Sequence, residues 1–310
     1  AVALLVQACP TPSLVATELS ISFLPLPFSP SATTTLTSLS LAHNDMITFP
    51  AETIQLAALV ELDLSQNKIV TVPGVVSALT TLTRLNLANN AIKALPASFV
   101  ALPLRHLDIS NNELHDPSTM HLPPTLVELV ARGASELPRL NDSALTLLDV
   151  ADGNFRLEEI IAVAPSGLRA LQMRSNAVDH IPPAVTRLSA LEELDLSCNP
   201  LTALRPSLFA LTHLVSLSLV GCAIPQLPVL FCKLTALTQL HIGPKIAVPR
   251  EMAHLFPTRT PREITQKHTP PEVQVVVTGD VSRVDVFAAL AKRLTKDRDA
   301  LNKTVALDKG

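Results

Sequence analysis

The 310 residues contain no tryptophan and no tyrosine, and all nine aromatic side chains are phenylalanine. Trp and Tyr dominate the energetics of many protein interfaces, so a binding surface here must draw on aliphatic, arginine or charged anchors. Glycine is scarce, with eight scattered residues. The chain has neither G-x-x-x-x-G-K-[ST] nor G-x-G-x-x-G, which excludes the usual phosphate-cradling loops. G-x-S-x-G, H-E-x-x-H and C-x-x-C are also missing, and the nine histidines are dispersed. These absences argue against a nucleophile elbow, a zinc-peptidase pair or a thiol redox motif. The reading is therefore a non-enzyme without cofactor or metal.

The four cysteines, Cys9, Cys198, Cys222 and Cys232, do not form the paired clusters of disulfide-capped secreted domains. That usage points to a reducing, intracellular compartment, with the cytoplasm as the first expectation. The apolar stretch Ala1–Ala8 is too short to span a bilayer and no other run reaches 18 residues, so no membrane span is predicted. Because the sequence starts at Ala1, removal of a presequence and a mitochondrial or other organellar address form the alternative.

What the chain does contain is one phrase written ten times. Its clearest form is Leu82-Thr-Arg-Leu85-Asn-Leu87-Ala-Asn-Asn90-Ala-Ile92-Lys-Ala-Leu95-Pro96. Copies start at Leu36, Leu59, Leu82, Leu104, Leu126, Leu145, Leu168, Leu191, Leu214 and Leu237, in steps of 19 to 23 residues. Such a period belongs to a solenoid. Alternation as in Leu62-Asp63-Leu64 describes a short strand with one buried face. A single copy cannot bury that face, whereas stacked copies pair their strands and close a continuous core.

Asn44, Asn67, Asn90, Asn112, Asn176 and Asn199 hold one fixed place in the phrase. The chain turns off the sheet there and leaves backbone N–H and C=O groups unpaired, and an inward amide can satisfy both kinds. Cys222, Ala134, Gly153 and Lys245 occupy that place in the other copies. A second cassette, proline with apolar residues three and six beyond it, occurs at Pro96, Pro182, Pro228 and Pro249. It predicts short helical or 3-10 returns on the convex side.

The phrase Leu-x-x-Leu-x-Leu-x-x-Asn-x-Ile-x-x-Leu-Pro resembles the typical intracellular leucine-rich repeats of 22–23 residues, as in Ras-suppressor, erbin-like and Roco proteins. The resemblance covers roughly residues 14–255 and implies an α/β horseshoe with a parallel concave sheet that binds other proteins. It does not name a partner, since function lies in the variable positions.

Around this body, residues 1–35 read as an N-terminal cap and degenerate repeat, with a faint strand unit at Leu19-Ser-Ile21. Residues 36–255 form the solenoid. The copy from Leu126 is short, and a tightened return is predicted there. Residues 256–310 read as a linker followed by a strand, Val273–Val277, and a basic amphipathic helix, Val284–Leu301. That helix carries Lys292, Arg293, Lys296 and Arg298, and it either caps the last strand or docks on a partner.

Two outward columns flank the inward leucine of each strand. They bring Glu61, Asp63, Asp108, Glu128, Asp149, Glu193 and Asp195 to one concavity, with Arg84 and Arg174 as the basic exceptions. Residues 1–249 hold 13 Lys+Arg against 19 Asp+Glu, and residues 250–310 hold 11 against 8. A mildly acidic body and a mildly basic tail follow. The bay favours a basic or mixed-charge protein segment and disfavours direct contact with nucleic acid, whose phosphates need Lys and Arg. The function read from these features is a non-catalytic interaction scaffold or regulatory subunit. The alternatives are a structural subunit of a large protein or ribonucleoprotein assembly, such as an organellar ribosome or axoneme, and a regulatory subunit of a phosphatase or similar enzyme.

Overall fold

The computed structural model describes residues 12–24, 28, 30–115, 120–138, 140, 143–247, 249 and 274–277, with backbone only at 30, 31 and 274–277. Its strands are β1 Ser13–Val15, β2 Ser38–Ser40, β3 Glu61–Asp63, β4 Arg84–Asn86, β5 His106–Asp108 and β6 Glu128–Val130. They continue as β7 Leu147–Asp149, β8 Ala170–Gln172, β9 Glu193–Asp195, β10 Ser216–Leu219, β11 Gln239–Ile242 and β12 Gln274–Val277. All lie in one sheet in sequence order, each parallel to the next. Parallel neighbours require a crossover, and from β2 to β11 the strands recur once per copy, so each lands beside its predecessor.

The first leucine of every copy, from Leu36 to Leu237, is no more than 2 % exposed. The central strand residue is equally buried, as at Leu62, Leu148 and Leu240, and so is the residue two places on, as at Leu64, Val150 and Ile242. One apolar cluster runs unbroken from Leu14 to Ile246. Outward strand residues stay half-exposed or exposed, with Asp149 and Ala170 as exceptions. Stability therefore lives in the contacts between copies.

The convex returns are mostly 3-10 turns: Ala51–Gln55, Gly74–Ala78, Ala97–Ala101, Pro183–Arg187, Pro206–Ala210 and Val229–Lys233. The proline cassettes open three of them. The carbonyls of Pro96, Pro182 and Pro228 accept from the N–H of Phe99, Val185 and Phe231, whose side chains are buried. Met252 and Leu255 of the fourth cassette lie outside the described residues. Two returns are α-helical, α1 Pro30–Thr35 and α2 Leu157–Val163. Glu159 Oε2 accepts from the Arg156 N–H at the start of α2, and Leu157, Ile160 and Ile161 supply its buried stripe.

The N-terminal strand differs from its expected place. Leu14, rather than Leu19 or Ile21, pairs with Leu39, and Ala16 takes the place of the second leucine. Leu19 is 48 % exposed and stands where the turn leaves the sheet. A strand marked by one leucine and one alanine has too weak an alternation to read from the sequence alone. Gln274–Val277 does pair with β11, whereas the expected helix Val284–Leu301 lies outside the described residues.

In the short copy from Leu126 no 3-10 turn occurs among the described residues, and the return packs through Leu140. The chain leaves β6 at Gly133 with φ +68°, and a Cβ there would stand 2.5 Å from Asn111 Oδ1. Every copy from His43 to Gly221 adopts this left-handed conformation just before the ladder position, as at Gln66, Asn89, Ser175 and Cys198.

The concave sheet face as candidate binding site

The site rests on a scaffold set from beneath by the asparagine ladder. Asn67 shows the pattern. Its Nδ2 donates to the carbonyls of Leu41, Leu64 and Ser65 at 3.0, 3.0 and 3.2 Å, and its Oδ1 accepts from Met46 N–H at 3.1 Å. The same arrangement recurs at Asn44, Asn90, Asn112, Asn176 and Asn199, each bridging its own copy and the preceding one. Cys222 donates its thiol to Leu196 O at 3.1 Å, and burial pushes that thiol above the usual range. At Gly153 a side chain would meet the Phe155 ring at 2.7 Å, so an apolar ring replaces an amide there.

Above this scaffold the strand register lines up two outward rows. The first runs Ser38, Glu61, Arg84, His106, Glu128, Leu147, Ala170, Glu193, Ser216, Gln239. Two residues further along each strand, the second runs Ser40, Asp63, Asn86, Asp108, Val130, Asp149, Gln172, Asp195, Ser218, His241. All seven acidic residues and Arg84 therefore belong to one face; Arg174 lies two residues beyond β8 and is exposed. Lys292, Arg293, Lys296 and Arg298 lie outside the described residues.

The aspartates also shape the turn behind each strand. Oδ1 of Asp63, Asp108, Asp149 and Asp195 accepts the N–H two residues on, and Asn86 does the same. The Leu-Asp-Leu wording is thus partly a turn device.

A leucine-rich-repeat family model matches residues 34–92 and 166–224, and a second model of the same description matches 103–129. With the stacked parallel strands and the asparagine ladder in place, these matches decide the family. The chain is a leucine-rich-repeat protein. No curated protein matches its sequence. Among solved structures, the functional domain of InlJ from Listeria monocytogenes, described as including a cysteine ladder, is 23 % identical over 75 % of this chain and 48 % of its own, with TM-score 0.53. An LRR protein of Leptospira interrogans is 21 % identical over 87 % of this chain and 84 % of its own, with TM-score 0.51. A TLR13 complex with ssRNA13 is 20 % identical over 70 % and 38 %, with TM-score 0.54. The leucine-rich-repeat chain thus spans about half of the InlJ domain and well under half of TLR13.

Within this leucine-rich-repeat face, three of the seven carboxylates are already matched from a neighbouring copy. Arg84 pairs with Glu61 at 2.8 Å, and His106 Nδ1 stands 2.6 Å from Glu128. Arg132 directs Nε and Nη2 at Asp149 Oδ2, at 2.8 and 2.7 Å. Asp149 is only 4 % exposed, the most buried of the seven. Hydrogen bonding and the charge of Asp149 hold the Arg132 guanidinium still more firmly protonated than usual.

Arg132 and His106 were absent from the site set drawn from the sequence. A signal for Arg132 existed: Ala42, Ser65, Ala88, Ser110, Ala151 and Ser197 hold the corresponding place after their strands, and Arg132 and Arg174 interrupt that small-residue column.

The face forms two open hollows. One of about 330 Å³ extends from Ser38 to Val130, and one of about 250 Å³ extends from Gln172 to His241. Leu147 and Ala170 lie between them and, with Val130 at the end of the first hollow, form the apolar part of the rows. Among the described residues no three His, Cys, Asp or Glu side chains gather to hold a metal, and no helix is long and apolar enough to cross a membrane.

Proposed function

We propose that this chain is a non-catalytic binding module that holds a basic or mixed-charge protein segment on its concave sheet. The observation that carries the reading is a broad outward sheet face on which Asp63, Asp108, Glu193 and Asp195 have no ion-pair partner among the described residues. Low-dielectric walls around such a bay concentrate its potential and speed the approach of cationic partners. A pre-formed scaffold also limits the ordering entropy that binding requires. The same potential disfavours naked nucleic acid.

The test uses charge-only substitutions. Asp63→Asn, Asp108→Asn and Asp195→Asn keep the Oδ1 acceptor that caps the following turn, and Glu193→Gln keeps the side-chain length. The full chain serves as bait in its own cell extract, with captured proteins identified by mass spectrometry. The expected result is that the wild type captures a protein directly, in a salt-sensitive manner, and that the quadruple variant loses it while melting at the same temperature. Equal capture by both would sink the reading.

A further inference from the structure

The two halves of the concave face differ in kind. Over β3 to β7, Glu61 and Asp149 pair with Arg84 and Arg132 and Glu128 accepts from His106 Nδ1, which leaves Asp63 and Asp108 unpaired among the described residues, each on a strand whose other outward residue has a partner. Around β9, Glu193 and Asp195 stand in register on adjacent rows without an ion-pair partner among the described residues. Their hollow is completed by neutral groups such as Ser216, Ser218 and Gln172. A cation arriving there breaks no existing pair, whereas one arriving at Glu61 competes with Arg84.

Leu147 and Ala170 occupy the same row as Glu193, on the two preceding strands. An apolar step therefore adjoins the unmatched acids.

We propose, resting on the concave-face reading above, that this face recognises an extended protein segment with two anchors: an aliphatic side chain on Leu147 and Ala170, and a Lys or Arg side chain on Glu193 and Asp195. The spacing follows from the sheet. Leu147 and Glu193 are two strands apart, about 10 Å at the usual separation of parallel strands. A polyproline-II segment laid across the strands advances ~3.1 Å per residue and returns to the same face every third residue. The aliphatic and basic residues of the partner therefore stand about three positions apart. A fully extended β-segment places its third residue on the opposite face and matches this spacing poorly.

The experiment selects binders to the immobilised full chain from a random twelve-residue display library. Enriched peptides are then labelled with fluorescein and their affinities measured by anisotropy. The expected peptides share an aliphatic residue and a Lys or Arg about three positions apart. Their affinity falls about tenfold or more on Glu193→Gln with Asp195→Asn, as for loss of a charge-assisted contact. Leu147→Ser weakens them as well, Glu61→Gln leaves them within about twofold, and unchanged melting temperatures show that each variant is folded. Failure to enrich peptides, enrichment without this pairing, or indifference to both anchors would overturn the proposal. So would a tenfold gain in peptide affinity on Lys292→Glu with Arg293→Glu, which would assign the hollow to the chain's own C-terminal segment. A cellular protein held through Asp63 and Asp108, and indifferent to Leu147 and Glu193, would overturn the two-anchor proposal yet leave the broader reading standing.

Discussion

The ladder residues combine strict position with a dense set of backbone bonds. Asn90 donates to Leu64, Leu87 and Ala88 carbonyls and accepts from Ile69 N–H. Alanine at this position leaves those partly buried groups without their side-chain partner. Asn90→Ala is expected to cost about 1–3 kcal/mol in urea unfolding, with an unchanged denaturant slope. Cys222 offers the opposite case, since its thiol reaches one carbonyl where an amide reaches two or three and also accepts. Cys222→Asn is expected to stabilise the chain by about 1 kcal/mol, raising the urea midpoint, because the added amide can accept from Leu201 N–H as Asn67 does from Met46.

Copies of different wording solve the same turn in different ways. Gln66, Asn89 and Ser175 tolerate a positive φ with a side chain present, whereas Gly133 combines φ +68° with an approach by the Asn111 side-chain amide, which a Cβ would push aside. Gly133→Ala should therefore destabilise by about 1–3 kcal/mol, from backbone strain and displacement of Asn111, and thermal melting reads the loss. The short copy lacks a 3-10 return among its described residues, and the next copy substitutes α2, whose Leu157, Ile160 and Ile161 fill the convex side. Elements with a strong periodic signal, such as the strands around Leu62 and Leu194, were legible in advance. The strand at Leu14 was not, because Ala16 carries little of the burial that makes alternation visible. The pairing of Asp149 with Arg132 was not legible, because outward parity does not reveal which side chains reach across from the preceding copy.

A stack whose copies touch only their neighbours should accept loss of a whole copy. Deleting Leu191–His213 joins Ala190 to Leu214 and lets β8 lie beside β10 with leucines still inward. This variant is expected to remain folded by circular dichroism, with a lower melting temperature that reflects one fewer interface. A deletion of twelve residues from Leu191 shifts the phrase out of step and should abolish cooperative melting. At this scale the bay is a collective property, because residues about 23 apart in sequence become lateral neighbours about 4.8 Å apart. The pairing of Glu61 and Asp149 with arginines of neighbouring copies, against two acids side by side on β9 that are unpaired among the described residues, belongs to the assembled face and to no single copy.

The order of residues alone determined the solenoid, the inward and outward parity of each strand, the ladder positions and the two rows of the concave face. These depend on local periodicity, which is present in every copy and needs no distant partner to be visible. Tertiary structure decided which acids keep their charge free. Glu61 and Asp149 are paired with Arg84 and Arg132 from adjacent copies, while Asp63, Asp108, Glu193 and Asp195 have no ion-pair partner among the described residues. Whether a cation meets a carboxylate depends on side-chain reach across a strand gap, and that distance comes into being only once the copies stack.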